Sequence, residues 1–313
     1  MNFQQLRIIR EAARQNFNLT EVANSLFTSQ SGVSKHIKDL EDELGVELFE
    51  RKGKRLLGFT GPGREILDVV ERILLDTANI KRVAQQYTEE DEGHLSLATT
   101  HTQARYVLPS IITEFKKTFP RVHLELHQCG PEEIVSLLKA GKVDIGIATE
   151  ALHDEPSLVC FPFHSWQHAV VVPKHHPLLE EKNLTLEAVA QYSIITYHQG
   201  YTGRQSIDFA FEQAGLKPDI VMSALDADVI KTYVELGLGI GIIASVAWQP
   251  QKDSDLALLN STNLFPLKTT QLALRQGHYL RSFAVHLIQL CCQSISTQEL
   301  KAQLQSLGSL SAA

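Results

Sequence analysis

Two short amphipathic helices joined by a tight turn can bury their apolar faces only by folding back on each other, and residues 18–41 read as such a pair. Asn18 can accept from the first N–H groups of a helix, and Glu21, three residues on, can reach back, which is a capping-box variant. Val22, Ala23 and Leu26 then fall at helical spacing. Phe27-Thr28-Ser29 breaks the pattern, and a second periodicity resumes with Val33, Ile37 and Leu40. Thr28 or Ser29 can cap this second helix, whose outer face carries Gln30, Ser31, Ser34, Lys35 and Lys38. Gln pairs bidentately with adenine, Lys binds guanine or phosphate, and Ser serves base edges or backbone, so the face suits a major groove.

The flanking sequence supports that use. Phe3, Leu6, Ile9 and Ala13 mark a helix placed to pack behind the pair. Gly45 ends the second helix after Leu44, and Val46, Leu48 and Phe49 give a short apolar anchor. A basic turn between two short extended pieces follows, with Arg51, Lys52, Lys54 and Arg55; beside a recognition helix it reads as a wing along the phosphate backbone. Charge is divided accordingly. Residues 1–64 hold ten Lys/Arg against eight Asp/Glu, while the whole chain carries −7. A nucleic-acid contact confined to one end fits that division.

Thr60 and Pro62 are set to start a long helix reaching about Tyr87. Ile66, Val70, Ile73, Thr77, Ile80, Ala84 and Tyr87 alternate spacings of four and three, an a/d seam that predicts pairing with a second copy of the chain. Residues 88–93 form an acidic hinge. Beyond it strand and helix patterns alternate, from a strand at Leu95–Ala98 to one at Gly241–Ile243, which predicts an α/β domain with a mostly parallel sheet. Ligands of such sheets sit beyond the carboxyl ends of strands. Thr100, Thr102 and Gln103 stand where a strand becomes a helix, Thr149 ends another strand, and Thr202 opens another helix. Neutral hydroxyl and amide donors with free backbone N–H groups can hold a small anion there.

With these residues in place, the chain resembles the LysR-type transcriptional regulators over nearly its whole length. The resemblance is carried by Thr28-Ser29-Gln30-Ser31-Gly32-Val33-Ser34, by Leu40-Glu41-x-Glu43-Leu44-Gly45-Val46-x-Leu48-Phe49-x-Arg51, by residues 141–147 and by Gly237-Leu238-Gly239-Ile240-Gly241. Residues 99–106 and Tyr201-Thr202-Gly203-Arg204 are similar to the CysB-type branch, which controls sulfate assimilation and cysteine synthesis. The resemblance implies an N-terminal winged helix-turn-helix (1–59), a linker helix and hinge (60–92), and a two-lobed effector domain like the periplasmic binding proteins (93–313). Lobe I would take about 93–163 and 266–313, and lobe II about 164–265. It implies a homotetramer, an acetylated serine as inducer and sulfur anions such as sulfate, thiosulfate or sulfide as further effectors. It places the pocket on Thr100, Thr102, Gln103, Thr149 and Thr202, with Trp166 a weaker candidate and His101 able to touch ligand.

The expected partners are double-stranded promoter DNA, the small effector, further copies of the chain and RNA polymerase, without cofactor or metal. Other function classes fit less well. Gly237-x-Gly239-x-Gly241 lacks the spacing of a dinucleotide turn and follows a helix, so it reads as a helix-to-strand turn. His175-His176 lies in a proline-flanked surface loop without catalytic partners, and the four cysteines lack Cys-x-x-Cys spacing and read as structural. A solute-binding protein with an added head is disfavoured by the basic wing and by an N-terminus that opens with Gln4, Gln5, Arg7 and Arg10 instead of a signal-peptide core. No apolar run is long enough to span a bilayer, and the expected compartment is the cytoplasm.

Overall fold

A computed structural model describes residues 1–53, 55–88, 91–293 and 295–305, in two compact units, the first made essentially of residues 1–88. Among the described residues no helix is long and apolar enough to cross a membrane. In the first unit, helix α1 (Phe3–Arg14) starts with a reciprocal capping box: Gln5 N donates to Asn2 Oδ1 at 3.0 Å, and Asn2 N to Gln5 Oε1 at 2.8 Å. Asn18 caps α2 (Leu19–Ser25) by accepting from Thr20 and Glu21 N–H, so the capping box expected at Asn18 and Glu21 is found in full at Asn2 and Gln5. The α1 stripe is also rotated from the expected one. Leu6, Ile8, Ile9 and Ala12 are buried, whereas Phe3 is 54% exposed.

Ser29 caps α3 (Gln30–Leu44) through Gly32 N at 3.1 Å, and Gly45 ends it at φ 68°. Val22, Val33, Ile37 and Leu40 close the core between the helices, each worth about 1.5–3 kcal/mol when fully buried. Strands β1 (Phe49–Lys52) and β2 (Arg55–Phe59) pair antiparallel as the wing, tied to the core by a ring cluster of Phe17, Phe49 and Phe59. Thr60 accepts from Gly63 N to start α4 (Gly61–Thr88). The seam of α4 is split. Val70 buries against the core of its own unit with Ile66 and Ile73 packed beside it, while Ile80 and Tyr87 are 70% and 85% exposed.

The second unit has two five-stranded sheets. The first, ordered β4-β3-β5-β12-β6, is built from β3 (Glu92–Thr99), β4 (Arg121–Gln128), β5 (Ile145–Ala148), β6 (Leu158–Trp166) and β12 (Lys268–Arg275). The second, ordered β11-β7-β10-β8-β9, is built from β7 (His168–Pro173), β8 (Ile194–Tyr197), β9 (Ile220–Ala224), β10 (Ile240–Ala244) and β11 (Leu256–Leu259). Helices α5 (Leu108–Thr118), α6 (Pro131–Lys139), α10 (Ser282–Cys291) and α11 (Thr297–Gln305) belong with the first sheet, and α7 (Leu186–Val189), α8 (Arg204–Gln213) and α9 (Ala227–Glu235) with the second.

The expected mostly parallel sheet is two sheets, each mixed. β3, β4 and β5 run parallel, as do β8, β9 and β10, but β12, β6, β7 and β11 add antiparallel edges. The antiparallel strands are those at which the chain changes lobe. It crosses at Gln167, between β6 and β7, and returns between β11 and β12; Gln167 Nε2 laces the crossings by donating to the Thr262 and Phe265 carbonyls at 3.2 Å. Each lobe has its own core, one around Phe115, Phe161 and Phe283, the other around Tyr197, Phe211 and Ile242.

Candidate functional site

The first unit presents the expected polar face. Gln30, Ser31, Lys35 and Lys38 on α3 are exposed and Ser34 is half-buried, and the first turn of the helix carries no acidic residue. Its amide ends add partial positive charge where phosphate would approach. On the wing, Lys52 and Arg55 are exposed, while Lys54 lies outside the described residues. Arg51 has another duty: its Nη2 donates to Glu41 Oε2 at 2.6 Å, and Glu41 Oε1 accepts from Leu48 and Phe49 N–H. That pair locks the wing to the helix beside it. The turn before α3 carries Phe27 at φ 52° with 99% of its surface exposed, an unusual place for a bulky ring.

The second unit gathers polar side chains where the two sheets meet. The chain leaves β3 through Thr100 and Thr102, both buried, into a π-helical turn at Gln103–Val107; such turns recur at functional sites. Gln103 Nε2 donates to Thr270 Oγ1 at 3.1 Å, Trp166 Nε1 donates to the same oxygen at 3.0 Å, and Thr149 Oγ1 lies 3.1 Å from it. One fully buried hydroxyl on β12 thus joins Gln103, Thr149 and Trp166. Thr102 lies against the buried Tyr197 phenol, which accepts from Ala244 N–H at 2.9 Å and whose ionisation burial pushes up. Gln103 Oε1 stays buried without a partner.

The opposite wall is a strained turn. Gly200, Thr202 and Gly203 all have positive φ, and at a β-branched threonine φ 44° is an outlier that surrounding contacts must hold. Two contacts do so. His168 Nε2 donates to Thr202 O at 2.9 Å, and Gly203 N donates to Glu150 Oε1 at 2.6 Å. A Cβ on Gly203 would come within 2.8 Å of the His168 ring. Burial lowers the His168 pKa to about 4, so the ring is neutral near neutral pH. Burial raises that of Glu150, against the Gly203 N–H and the Lys268 charge. Arg204 anchors the turn by donating to Tyr197 O at 2.6 Å and to Asp208.

His101 sits at the rim, its Nδ1 3.1 Å from Gln128 Oε1 and its Nε2 3.6 Å from Asp228. Asp228 opens α9 in the second lobe and is gripped from the first: Tyr106 Oη donates to it at 2.6 Å and Arg105 Nε at 3.3 Å. Burial opposes its charge, but Tyr106, Lys231 and Arg105 outweigh that and hold its carboxyl below the ordinary range. His101, Asp226 and Asp228 are spaced like metal ligands, yet Asp228 is saturated by donors and cations, and Asp226 caps α9 through Val229 N–H. That cluster is a latch between lobes.

Of the seven expected pocket residues, Gln103, Thr149 and Trp166 converge on Thr270, Thr102 lies against Tyr197, Thr202 stands in the facing turn, His101 is at the edge, and Thr100 is buried at the end of β3. Sequence reasoning missed Thr270, His168, Glu150, Tyr106 and Asp228. Glu150 adjoins Thr149 at a strand end and had a signal; Thr270, in an antiparallel strand distant in sequence, had none. His176 is also more than a loop residue: its Nδ1 accepts from Leu178 N–H and its ring packs on Tyr192. Gly239 meets the Ser193 carbonyl at the turn into β10, as the glycine spacing implied.

Residues 3–64 match the bacterial regulatory helix-turn-helix protein, lysR family, and residues 88–295 match the LysR substrate binding domain. The chain is 56% identical over 305 residues to the HTH-type transcriptional regulator SsuR of Burkholderia cenocepacia, covering 97% of this chain and 99% of that one. It is 51% identical over 310 residues to the HTH-type transcriptional regulator CysB of the same organism, covering 98% and 99%. The crystal structure of the cofactor-binding domain of the Cbl transcriptional regulator matches with TM-score 0.66 at 47% identity, covering 68% of this chain and 93% of that one. With a helix-turn-helix reading head, a linker helix and a two-lobed effector domain, the chain belongs to the LysR-type transcriptional regulators, among relatives named CysB, Cbl and SsuR.

Proposed function

We propose that this protein regulates genes of cysteine biosynthesis and sulfate assimilation, binding promoter DNA through α3 and the wing and sensing acetylserine and sulfur anions in the pocket around Thr270. The observation that carries the reading is the Thr270 cluster: neutral hydroxyl, amide and indole groups at strand ends, with one buried amide oxygen left as an unpartnered acceptor, which suit a small polar ligand rather than an apolar one. The CysB and Cbl names of its relatives support the sulfur assignment. The exposed half of α4, with Ile80 and Tyr87, supports pairing of two chains, so that two heads meet a site of approximate dyad symmetry in a homodimer or homotetramer. An effector acts by differential affinity for two assembly shapes, which changes the spacing or bend asked of the DNA and the promoter's presentation to RNA polymerase.

Thr102→Ala should abolish the thermal shift given by acetylserine, sulfate or thiosulfate while leaving effector-free DNA binding intact. Lys35→Ala and Gln30→Ala should do the reverse, with Lys35→Ala also flattening the salt dependence of DNA affinity. Full ligand binding by the Thr102 variant would remove the pocket assignment. A regulon for another sulfur source is the second reading, favoured by the SsuR relative's slightly higher identity; the ligand that gives the largest shift separates the two.

A further inference from the structure

Glu150 is a carboxyl group inside a pocket read as an anion site, and nothing in that reading accounts for it. Its Oε1 is spent on Gly203 N–H, closing one lobe onto the other, while Oε2 is buried with no partner. Its immediate neighbour Thr149 touches the Thr270 hydroxyl, and Gly203, its partner, follows Thr202 and lies against Trp166. Glu150 thus stands among the residues that would surround a ligand, and these are neutral. Lys268 is the cation whose charge reaches it, from β12; His168, beside Gly203 on β7, is held uncharged by burial; and His101 is engaged at the rim by Gln128 and Asp228. An ionised Glu150 would face an anionic ligand with like charge in a site shielded from water.

We propose that Glu150 is the specificity-determining residue of this pocket: it takes a proton from solvent onto Oε2 when an oxyanion binds, and the resulting O–H donates to the ligand. The proposal rests on the reading of the pocket as an effector site. Burial already favours the neutral carboxyl, and the unpartnered Oε2 is the atom a proton would occupy, since Oε1 accepts from Gly203. Selectivity follows from charge. An oxyanion binds with uptake of one proton, whereas a ligand that presents an ammonium group to Glu150 binds to the ionised form and takes up none. One site would therefore rank sulfate-like anions and amino-acid-like effectors differently as pH changes.

The test is calorimetric titration of the full-length protein with sodium sulfate and with thiosulfate, from about pH 6 to about pH 8, in buffers of different ionisation enthalpy. Above the Glu150 pKa, uptake of about one proton and a fall in affinity of about tenfold per pH unit are expected. Glu150→Gln, which keeps an N–H donor and cannot titrate, should bind sulfate with no proton uptake and a flat pH profile. Proton uptake that persists in Glu150→Gln would overturn the assignment, as would pH-independent sulfate binding by the unsubstituted protein. In either case loss of binding in Thr102→Ala would leave the pocket standing. Failure of both anions to bind at any pH would instead remove the pocket reading, and the proposal with it.

Discussion

The reading head and the effector pocket use the same residue types in opposite ways. In the head, Asn2, Asn18, Ser29 and Thr60 spend their side chains on helix N-termini, and Gln30, Lys35 and Lys38 are left facing outward. In the pocket, Thr100, Thr102, Gln103, Thr202 and Thr270 are buried, Gln103 donates to Thr270, and Gln103 Oε1 and Thr102 Oγ1 are left without a partner. A surface that meets a large polyanion can stay solvated until contact. A site for a small molecule must be dry and assembled in advance, so its cost is borne as desolvation and strain.

Four substitutions or conditions would break or sharpen that contrast. The largest effect belongs to Gly63→Ala in the head, where a Cβ would overlap the Leu48 carbonyl oxygen; a loss of about 3 kcal/mol or more is expected in denaturant unfolding, together with loss of DNA binding. Acid should act next, and on the pocket. The folded pKa of His168 lies at about 4 against about 6.5 unfolded, so the unfolded chain binds the extra proton first. Stability from this group is complete above about pH 6.5 and lost as pH falls toward about 4, by about 3 kcal/mol, and His168→Gln should flatten that part of the curve. Thr270→Val strands the Gln103 and Trp166 donors, which should cost about 2 kcal/mol and erase the ligand-induced thermal shift without changing DNA affinity. The smallest effect is a gain: Phe27→Asn relieves a positive φ in a ring that packs on nothing, so melting should rise by about 1 kcal/mol equivalent. A drop in DNA affinity in that variant would show the exposed ring to be part of the reading face.

What the sequence made legible follows the same division. Caps, the αL Gly45 and the Val33-Ile37-Leu40 stripe are local, and the helix-turn-helix could be placed almost to the residue. The α1 stripe was offset because helical spacing fits either Phe3 or Ile8, and only packing against α3 and α4 selects between them. In the pocket the strand-end threonines were visible from the alternation of strand and helix, since parallel strands put their carboxyl ends on one side. The antiparallel strands β6 and β12 carry no such mark. Thr270 becomes the centre of the site only because β12 pairs with both β5 and β6, a long-range register that no local pattern encodes. The seam of α4 was read correctly as apolar, but spacing could not tell that its first half is consumed within its own unit.

The double crossing of the chain at Gln167 has a mechanical outcome. Trp166 ends the strand that enters the crossing, His168 begins the strand that leaves it, and Thr270 lies just inside the returning strand, so three groups of the candidate pocket stand where the lobes join. A small molecule, which can touch few atoms, would there meet groups of both lobes beside the segments that join them.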